Sequence, residues 1–400
     1  MELFENVNVE YIDAASSKNI YPKYKVELLD FYESIIMDIT EYIDADSDNS
    51  ISVNYQQGVR RTCSLTLIDS DGKIMNSGMF LRWLNYKIKI YVGLYNIKSG
   101  NIFWFSQGIF YIINPTVNRL TKTITIEGVD KYGFLGSETG YNQITSTYII
   151  PYDTSLKNAI SDTLMLDIGN GKVIDSKSVH INPSLISEKS PYDIKKSPST
   201  YLSDIFIEIG NIFGADTYYN TNGNLCYDIG TEDVSYSTLS SIWNFSDNDF
   251  EYLDSILSVN TVDIVNSVTI SSNNSDSSAV YTYTAENHNY SSNTSIENIG
   301  RKEYYEESSF VYNDDTAKDY AKYVLNQKTI LQNSINITCP LLPHLDVNKV
   351  ITITDNYYNF SRNRFIIQSL NIPLNSKNTM TITASNVSSL PYYEFTGSSS

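Results

Sequence analysis

Four hundred residues, 41% hydrophobic and 18% charged, with 13% aromatics that include 33 tyrosines, hold ample material for packed cores. That excludes wholesale disorder and sets a working count of two or more domains. The 28 Lys and Arg against 46 Asp and Glu leave a net charge of −18; with no local basic patch to oppose it, no stable hold on DNA or an anionic membrane is expected.

Met1 to Ala15 carries Glu2, Glu5, Glu10 and Asp13, with no basic or apolar leader region, and does not read as a secretory signal. The Asp44-Ala-Asp46-Ser-Asp48-Asn49-Ser50-Ile51 run reproduces the first, third and fifth ligand positions of a calcium loop. Tyr55 stands where the bidentate Glu belongs, Asn49 replaces the usual Gly, and the flanks read as strands, so a solvated acidic loop is preferred over a cation site. In Arg61 to Asp69, Cys63, Leu65 and Leu67 alternate with Ser64, Thr66 and Ile68, and Asp71-Gly72 follows as a hairpin signal. Further strands are expected at Lys87 to Tyr95, Ile102 to Ile113 and Thr121 to Val129. The most apolar stretch, Asn101 to Pro115, is broken by Ser106, Gln107 and Gly108 and is shorter than the roughly 20 residues a spanning helix needs. A soluble chain is expected.

The middle changes character. Asp153 and Thr154 can cap a helix over about residues 154–166, with Leu156, Ala159, Ile160, Thr163 and Leu164 at helical spacing and Gly169-Asn170-Gly171 as its stop. A second helix is expected over 198–213, with Ser197 as N-cap, Pro198 in the first turn, an apolar stripe of Leu202, Ile205, Phe206, Ile209 and Phe213, and Gly214 as its end. Ser176 to Ser199 reads as a surface connection, and Asn222-Gly223 joins two strands as a hairpin. From Phe250 strands return at Ser258 to Ser271, Ala279 to Ala285, Asn333 to Pro340, Asn348 to Thr354, Arg364 to Ile372 and Asn378 to Val387. A helix near 314–328 interrupts them, its stripe of Ala317, Tyr320, Ala321, Val324 and Leu325 laid on a sheet. Ser271 to Ser278 and Ser291 to Ser295 read as polar loops. The expected organisation is a mainly β chain with α insertions (α+β): a first antiparallel β-barrel domain at 1–138, a mixed middle region at 139–249, a second barrel at 250–395 and a flexible tail at 396–400.

The two β-rich ends resemble each other. Lys87-Ile-Lys-Ile-Tyr-Val, Phe110-Tyr-Ile-Ile-Asn-Pro and Lys122-Thr-Ile-Thr-Ile recur in the same order as Lys349-Val-Ile-Thr-Ile-Thr, Phe365-Ile-Ile-Gln-Ser-Leu and Asn378-Thr-Met-Thr-Ile-Thr. An internal duplication, two similar barrels around a partly helical insertion, accounts for this.

Chemistry is sparse. The three histidines, His180, His288 and His344, come with no nucleophile elbow and no zinc-protease motif. Gly169-Asn-Gly-Lys172 lacks the rest of a phosphate loop and reads as a turn. Cys63, Cys226 and Cys339 are far apart and read as reduced core thiols. The tyrosine pairs 218–219, 304–305, 357–358 and 392–393 could stack on sugars but more often mark sheet surface or a subunit interface. No catalytic, cofactor-binding or metal-binding residue is assigned.

Several segments resemble the baseplate hub proteins of tailed bacteriophages and related contractile injection systems. Tyr24 to Leu29, Ile51 to Tyr55 and Arg60 to Asp69 resemble that family's first domain; Tyr201 to Phe206, Phe213 to Tyr219, Asn222 to Leu225 and Ile264 to Ile270 its middle; Leu342 to Ile351 and Ile372 to Ile382 its second related domain. The resemblance implies a non-enzymatic structural hub without cofactors, two related barrels per chain, and a homotrimeric ring of pseudo-sixfold symmetry. Its partners would be tail tube proteins above, a central spike or tail-tip protein below, and other baseplate proteins. DNA would be passing cargo only, with no stable membrane contact. The location implied is the virion tail, after assembly in the bacterial host cytoplasm. With the chain stopping at Ser400, wall digestion or receptor binding would fall to other proteins. The competing expectations are a β-rich receptor- or carbohydrate-binding tail protein and a carboxylate glycosidase.

Overall fold

The computed structural model of the protein describes residues 7–55, 58–76, 83, 86–140, 142–212, 215–229, 239–259, 262–273, 279–308, 311–330, 333–375 and 378–387. Expectations for Phe213, Gly214, Tyr392-Tyr393, most of the 271–278 loop and the 396–400 tail lie outside the described residues. Of the described residues strands hold 43% and helices 19%, so the fold is mainly β with helical insertions.

The dominant element is a sheet of thirteen strands drawn from both ends of the chain. In the first unit the order is Pro22–Leu29, Lys87–Tyr95, Ile102–Asn118, Thr123–Asp130, Arg61–Ile68, Ser50–Asn54, with Ile35–Asp38 added outside Pro22–Leu29. In the second unit it is Trp243–Ser246, Val350–Asp355, Phe360–Pro373, Thr379–Asn386, Asn333–Pro340, Asp254–Val259. Numbered by chain position within each unit, both read 1-4-5-6-3-2. The likeness extends to irregularities: one register shift follows the pair Ile90/Gly108 in the first unit and Ile353/Asn363 in the second. Phe110 opposite Asp130 corresponds to Phe365 opposite Asn386. The units differ in the sense of one pairing: Pro22–Leu29 runs antiparallel to its neighbour whereas Trp243–Ser246 runs parallel to Val350–Asp355.

The expected pair of separate barrels does not appear: among the described residues no sheet closes on itself, and the two units share one ladder where Ser50–Asn54 pairs with the end of Phe360–Pro373. Alternation drives this arrangement. Along Arg61–Ile68, Cys63, Leu65 and Leu67 are buried while Ser64 and Ile68 are exposed, so one face of each strand must find a cover. Both units find the same one, a core running from Tyr11 and Val26 through Ile126 to Phe245, Ile337 and Ile382. Asp71-Gly72 does not open a hairpin. Instead the Asp69 carboxylate accepts the backbone N–H groups of Ile74 and Met75 and starts the single helical turn Lys73–Asn76.

The middle region has its own core, built on the helices Leu156–Leu164 and Leu202–Ile212. The first is capped by Ser155, whose hydroxyl accepts from Asn158 N–H, rather than by Asp153 or Thr154. It ends at Leu164, and Gly169-Asn170-Gly171 forms the turn of a small hairpin, all three at positive φ. The second helix starts four residues beyond Pro198, because Ser199 sits at φ 71° and the Ser197 carbonyl closes a turn with Thr200. Its stripe buries Leu202, Ile205, Phe206, Ile209 and Ile212. The expected surface connection at 176–199 contributes short paired strands at His180–Ile181 and Ile194–Lys196.

The expected single strand Ser258 to Ser271 is two strands in two sheets, Asp254–Val259 in the large one and Ser267–Ser272 at the centre of a three-stranded one. Asn266 fixes the second start: buried, it donates to the carbonyls of Thr294 and Gly300 and accepts from Lys302 N–H. The helix Asp314–Ile330 covers this small sheet, burying Ala317, Ala321, Val324 and Leu325 against Val268, Ile270 and Ala285.

Candidate assembly interface

At the junction of the two units, Asn371 stands opposite Ser52, Ile372 opposite Ile51 and Leu370 opposite Val53. Side chains reinforce it on one flank. Arg61 pairs with Asp346 at 2.5 Å and donates to the Gln107 carbonyl, while Gln107 donates to the Pro343 carbonyl at 2.8 Å. Close by, the Tyr11 hydroxyl meets His344 Nδ1 at 2.5 Å, with the imidazole packed against Trp243. Burial holds this histidine's pKa down at about 3, so it is neutral.

The seam to the middle region is ionic. Arg60, almost fully buried, pairs with Asp216 and lies over the rings of Tyr55 and Tyr218. A second cluster centres on Glu33, which a tight turn closed by Asp30 holds at φ 67°. Its carboxylate meets Lys131 at 2.8 Å, Lys87 at 3.1 Å and Lys177, and Lys131 also reaches Asp175. Burial would raise the Glu33 pKa, but the charges of Lys131 and Lys87 outweigh it and hold it at about 2. Five charged groups thus tie the 30–34 turn and Lys87 of the first unit to the middle region. None was singled out from sequence, where each is one charge among many.

The residues that invited chemistry are scattered. His288 has both ring nitrogens against carboxylates, Nδ1 at Glu297 and Nε2 at Glu286, which leaves none to take a substrate proton. His180 lies in a short strand of the middle region. In the acidic loop, Asp44 accepts from Asp46 N–H and from the Ser47 hydroxyl. Asn49 points inward, donating to the Asp44 carbonyl and accepting from Thr66 N–H. Among the described residues no group of three or more His, Cys, Asp and Glu could hold a metal ion. Cys63, Cys226 and Cys339 are buried and free, and burial raises their thiol pKa values, that of Cys226 to about 11. Of the tyrosine pairs, Tyr219 is core, Tyr218 stacks on Arg60, and Tyr358 donates to the Ser255 carbonyl while Tyr357 stands in solvent. No helix of the described residues is long and apolar enough to cross a membrane.

What the molecule leaves open is strand edge. Among the described residues Asp254–Val259 pairs on one side only, and it exposes Ile256, Leu257 and Val259. Among the described residues Ile102–Asn118 is half open: its ladder with Lys87–Tyr95 stops at Tyr111, and Val117 beyond it is exposed.

The architecture has known counterparts. Residues 287–393 match the model of a domain of unknown function (DUF5048). No curated protein sequence matches the chain. Among solved structures, the 43 kDa tail protein of prophage MuSo2 from Shewanella oneidensis superposes with a TM-score of 0.59 at 10% identity, over 92% of this chain and 99% of that one. A tail protein from Neisseria meningitidis gives 0.57 at 12% identity over the same shares. The chain has the fold of these phage tail proteins. The same tail-protein fold matches a chain of the Francisella PdpA-VgrG complex at TM-score 0.50 and 14% identity, over 96% of this chain and 61% of that one.

Proposed function

We propose that the protein is a structural hub of a phage tail or tail-like injection machine, three chains forming a pseudo-sixfold ring that joins the tail tube to a central spike or tip. The observation that carries this reading is the repeated 1-4-5-6-3-2 strand order, twice in one chain and joined edge to edge. Two like units per chain let three chains present six similar surfaces to a hexameric partner. The tail-protein fold and its likeness to a chain of a VgrG complex support tube and spike partners and a place in the virion tail. The hub is non-enzymatic and uses no cofactor or metal. Three copies at −18 each carry −54, so DNA threading the ring meets like charge and passes without sticking.

Electron microscopy of the assembled tail, or of concentrated protein with its neighbours, tests this. Three copies per tail end and a closed particle of about 136 kDa, three times 45.3 kDa, are expected. Six copies, or binding to a glycan array by an isolated chain, would replace the hub with a ring of another order or with a receptor binder.

A further inference from the structure

The junction inside the chain has an unfilled counterpart. Matching the two units through their ladders sets Thr62 with Ser334 and Cys63 with Ile335, each paired to the corresponding residue of the last strand. Ile51, opposite Cys63, then corresponds to Leu257, opposite Ile335, and Val53 to Val259. By the same route Thr116, opposite Thr125, corresponds to Asn371, opposite Thr381, which places Val117 with Ile372 and Pro115 with Leu370. In the filled junction Ile51, Val53 and Ile372 are 0% exposed and Leu370 is 2% exposed. In the open counterpart Leu257 is 40%, Val259 49% and Val117 39% exposed. Apolar side chains occupy the positions that a partner strand would bury, on an edge with unspent backbone hydrogen bonds.

We propose that the Asp254–Val259 edge of one chain pairs antiparallel with the Ile113-to-Asn118 end of a second copy, Thr116 opposite Ser258 and Val117 opposite Leu257. The second copy is the occupant because the chain already makes this contact with its own other half, from corresponding strands in corresponding register. Tyr358 marks one limit of the free edge, its hydroxyl taking the Ser255 carbonyl, so the contact runs over Ile256 to Val259. Donor edge and acceptor edge are different surfaces of one chain, so the contact is head-to-tail and either closes into a ring or grows as an open chain. The proposal rests on the hub reading for the number of chains and on the internal junction for the pairing itself.

Disulfide trapping in the full-length protein tests it. The variants are Thr116→Cys with Ser258→Cys and Val117→Cys with Leu257→Cys, with Thr116→Cys plus Asp254→Cys as a control four residues out of register. The unsubstituted chain controls for the three buried thiols. Concentrated protein is mildly oxidised, then read on non-reducing gels and by mass. Interchain disulfides in the in-register pairs, at least tenfold above the control, are expected, closing at three chains. In-register products that grow past three without closing keep the pairing and overturn the trimeric hub. Three-chain rings without in-register disulfides overturn the pairing and keep the hub, and a chain that stays monomeric and uncrosslinked at every concentration overturns the pairing. Leu257→Lys supplies the complementary test, since its site is already exposed: unchanged melting of the isolated chain with at least tenfold loss of association is expected, and undiminished association counts against the edge.

Discussion

Ile51 in the first unit and Ile372 in the second stand opposite each other in one antiparallel ladder, and neither exposes any surface. Two stretches of chain more than three hundred residues apart therefore share a core as well as a sheet. Shortening either side chain removes burial from both units at once. Ile372→Ala should cost about 2–5 kcal/mol, the range for a large-to-small change in a packed core. The loss should appear in chemical denaturation as an earlier transition common to both units. Combined with Ile51→Ala the effects should be non-additive, because the two side chains fill one space. Two resolved transitions for the β-units would contradict the shared core.

Arg60 provides a second test, at the seam with the middle region. Its guanidinium lies between two tyrosine rings and pairs with the Asp216 carboxylate. Asp216→Asn keeps the shape and strands the charge, a loss of about 3–5 kcal/mol for a buried pair broken on one side. Adding Arg60→Met removes the stranded charge and should recover most of it. Equilibrium unfolding of the three variants decides the matter: a double variant as weak as the single one would mean that packing of the guanidinium plane, rather than its charge, holds the seam.

The large sheet was legible in sequence where one face is buried, because Cys63, Leu65 and Leu67 or Ile351 and Ile353 recur with a period of two. The repeat was legible too, through Phe110 and Phe365, though the ladders set Lys87 with Val350 rather than with Lys349. The helix starts were misplaced because Ser155 and Ser199 act through local geometry that competes with the stronger-looking signals Asp153 and Pro198. Glu33, Lys131 and Asp175 come from three distant stretches and carry no spacing that betrays their meeting. The open edge at Leu257 falls just outside the expected strand Ser258 to Ser271; only the register of the filled junction reveals that its partner is missing.

The thiols give a chemical check on the two cores. Cys63 and Cys339 lie in the core common to both units and Cys226 in a strand of the middle region, all buried, with burial raising each thiol pKa. A thiol that is both shielded and protonated reacts slowly. Native protein should therefore label slowly with a thiol reagent at neutral pH, and denatured protein should titrate three thiols, with identical bands on reducing and non-reducing gels. Cys226 should label first, since its pKa of about 11 is the least raised. Fewer than three thiols in fresh denatured protein would mean a disulfide.

Stability should respond to acid through His344. Buried against Tyr11 and Trp243, its imidazole is held neutral with a pKa of about 3 against an ordinary 6.5. Below pH 6.5 the unfolded chain binds a proton that the folded chain refuses, so folding loses up to about 1.4 kcal/mol per pH unit until the folded value is reached. Other groups overlay this slope. Burial raises Asp130 to about 7 against the pull of its N–H donors from Arg61 and Tyr132. Its folded form therefore takes a proton first and adds stability as pH falls from 7 towards 3.8. Glu33, held at about 2, subtracts stability only as pH falls from about 4.5. The difference between the unsubstituted chain and His344→Phe isolates the histidine, because both carry the same carboxylates. Between pH 6.5 and 5 the unsubstituted chain should lose about 1.6 kcal/mol relative to the variant, measured by urea unfolding at each pH. A constant gap across that range would mean that His344 accepts its proton inside the folded core, and that the Tyr11 contact persists with a charged ring.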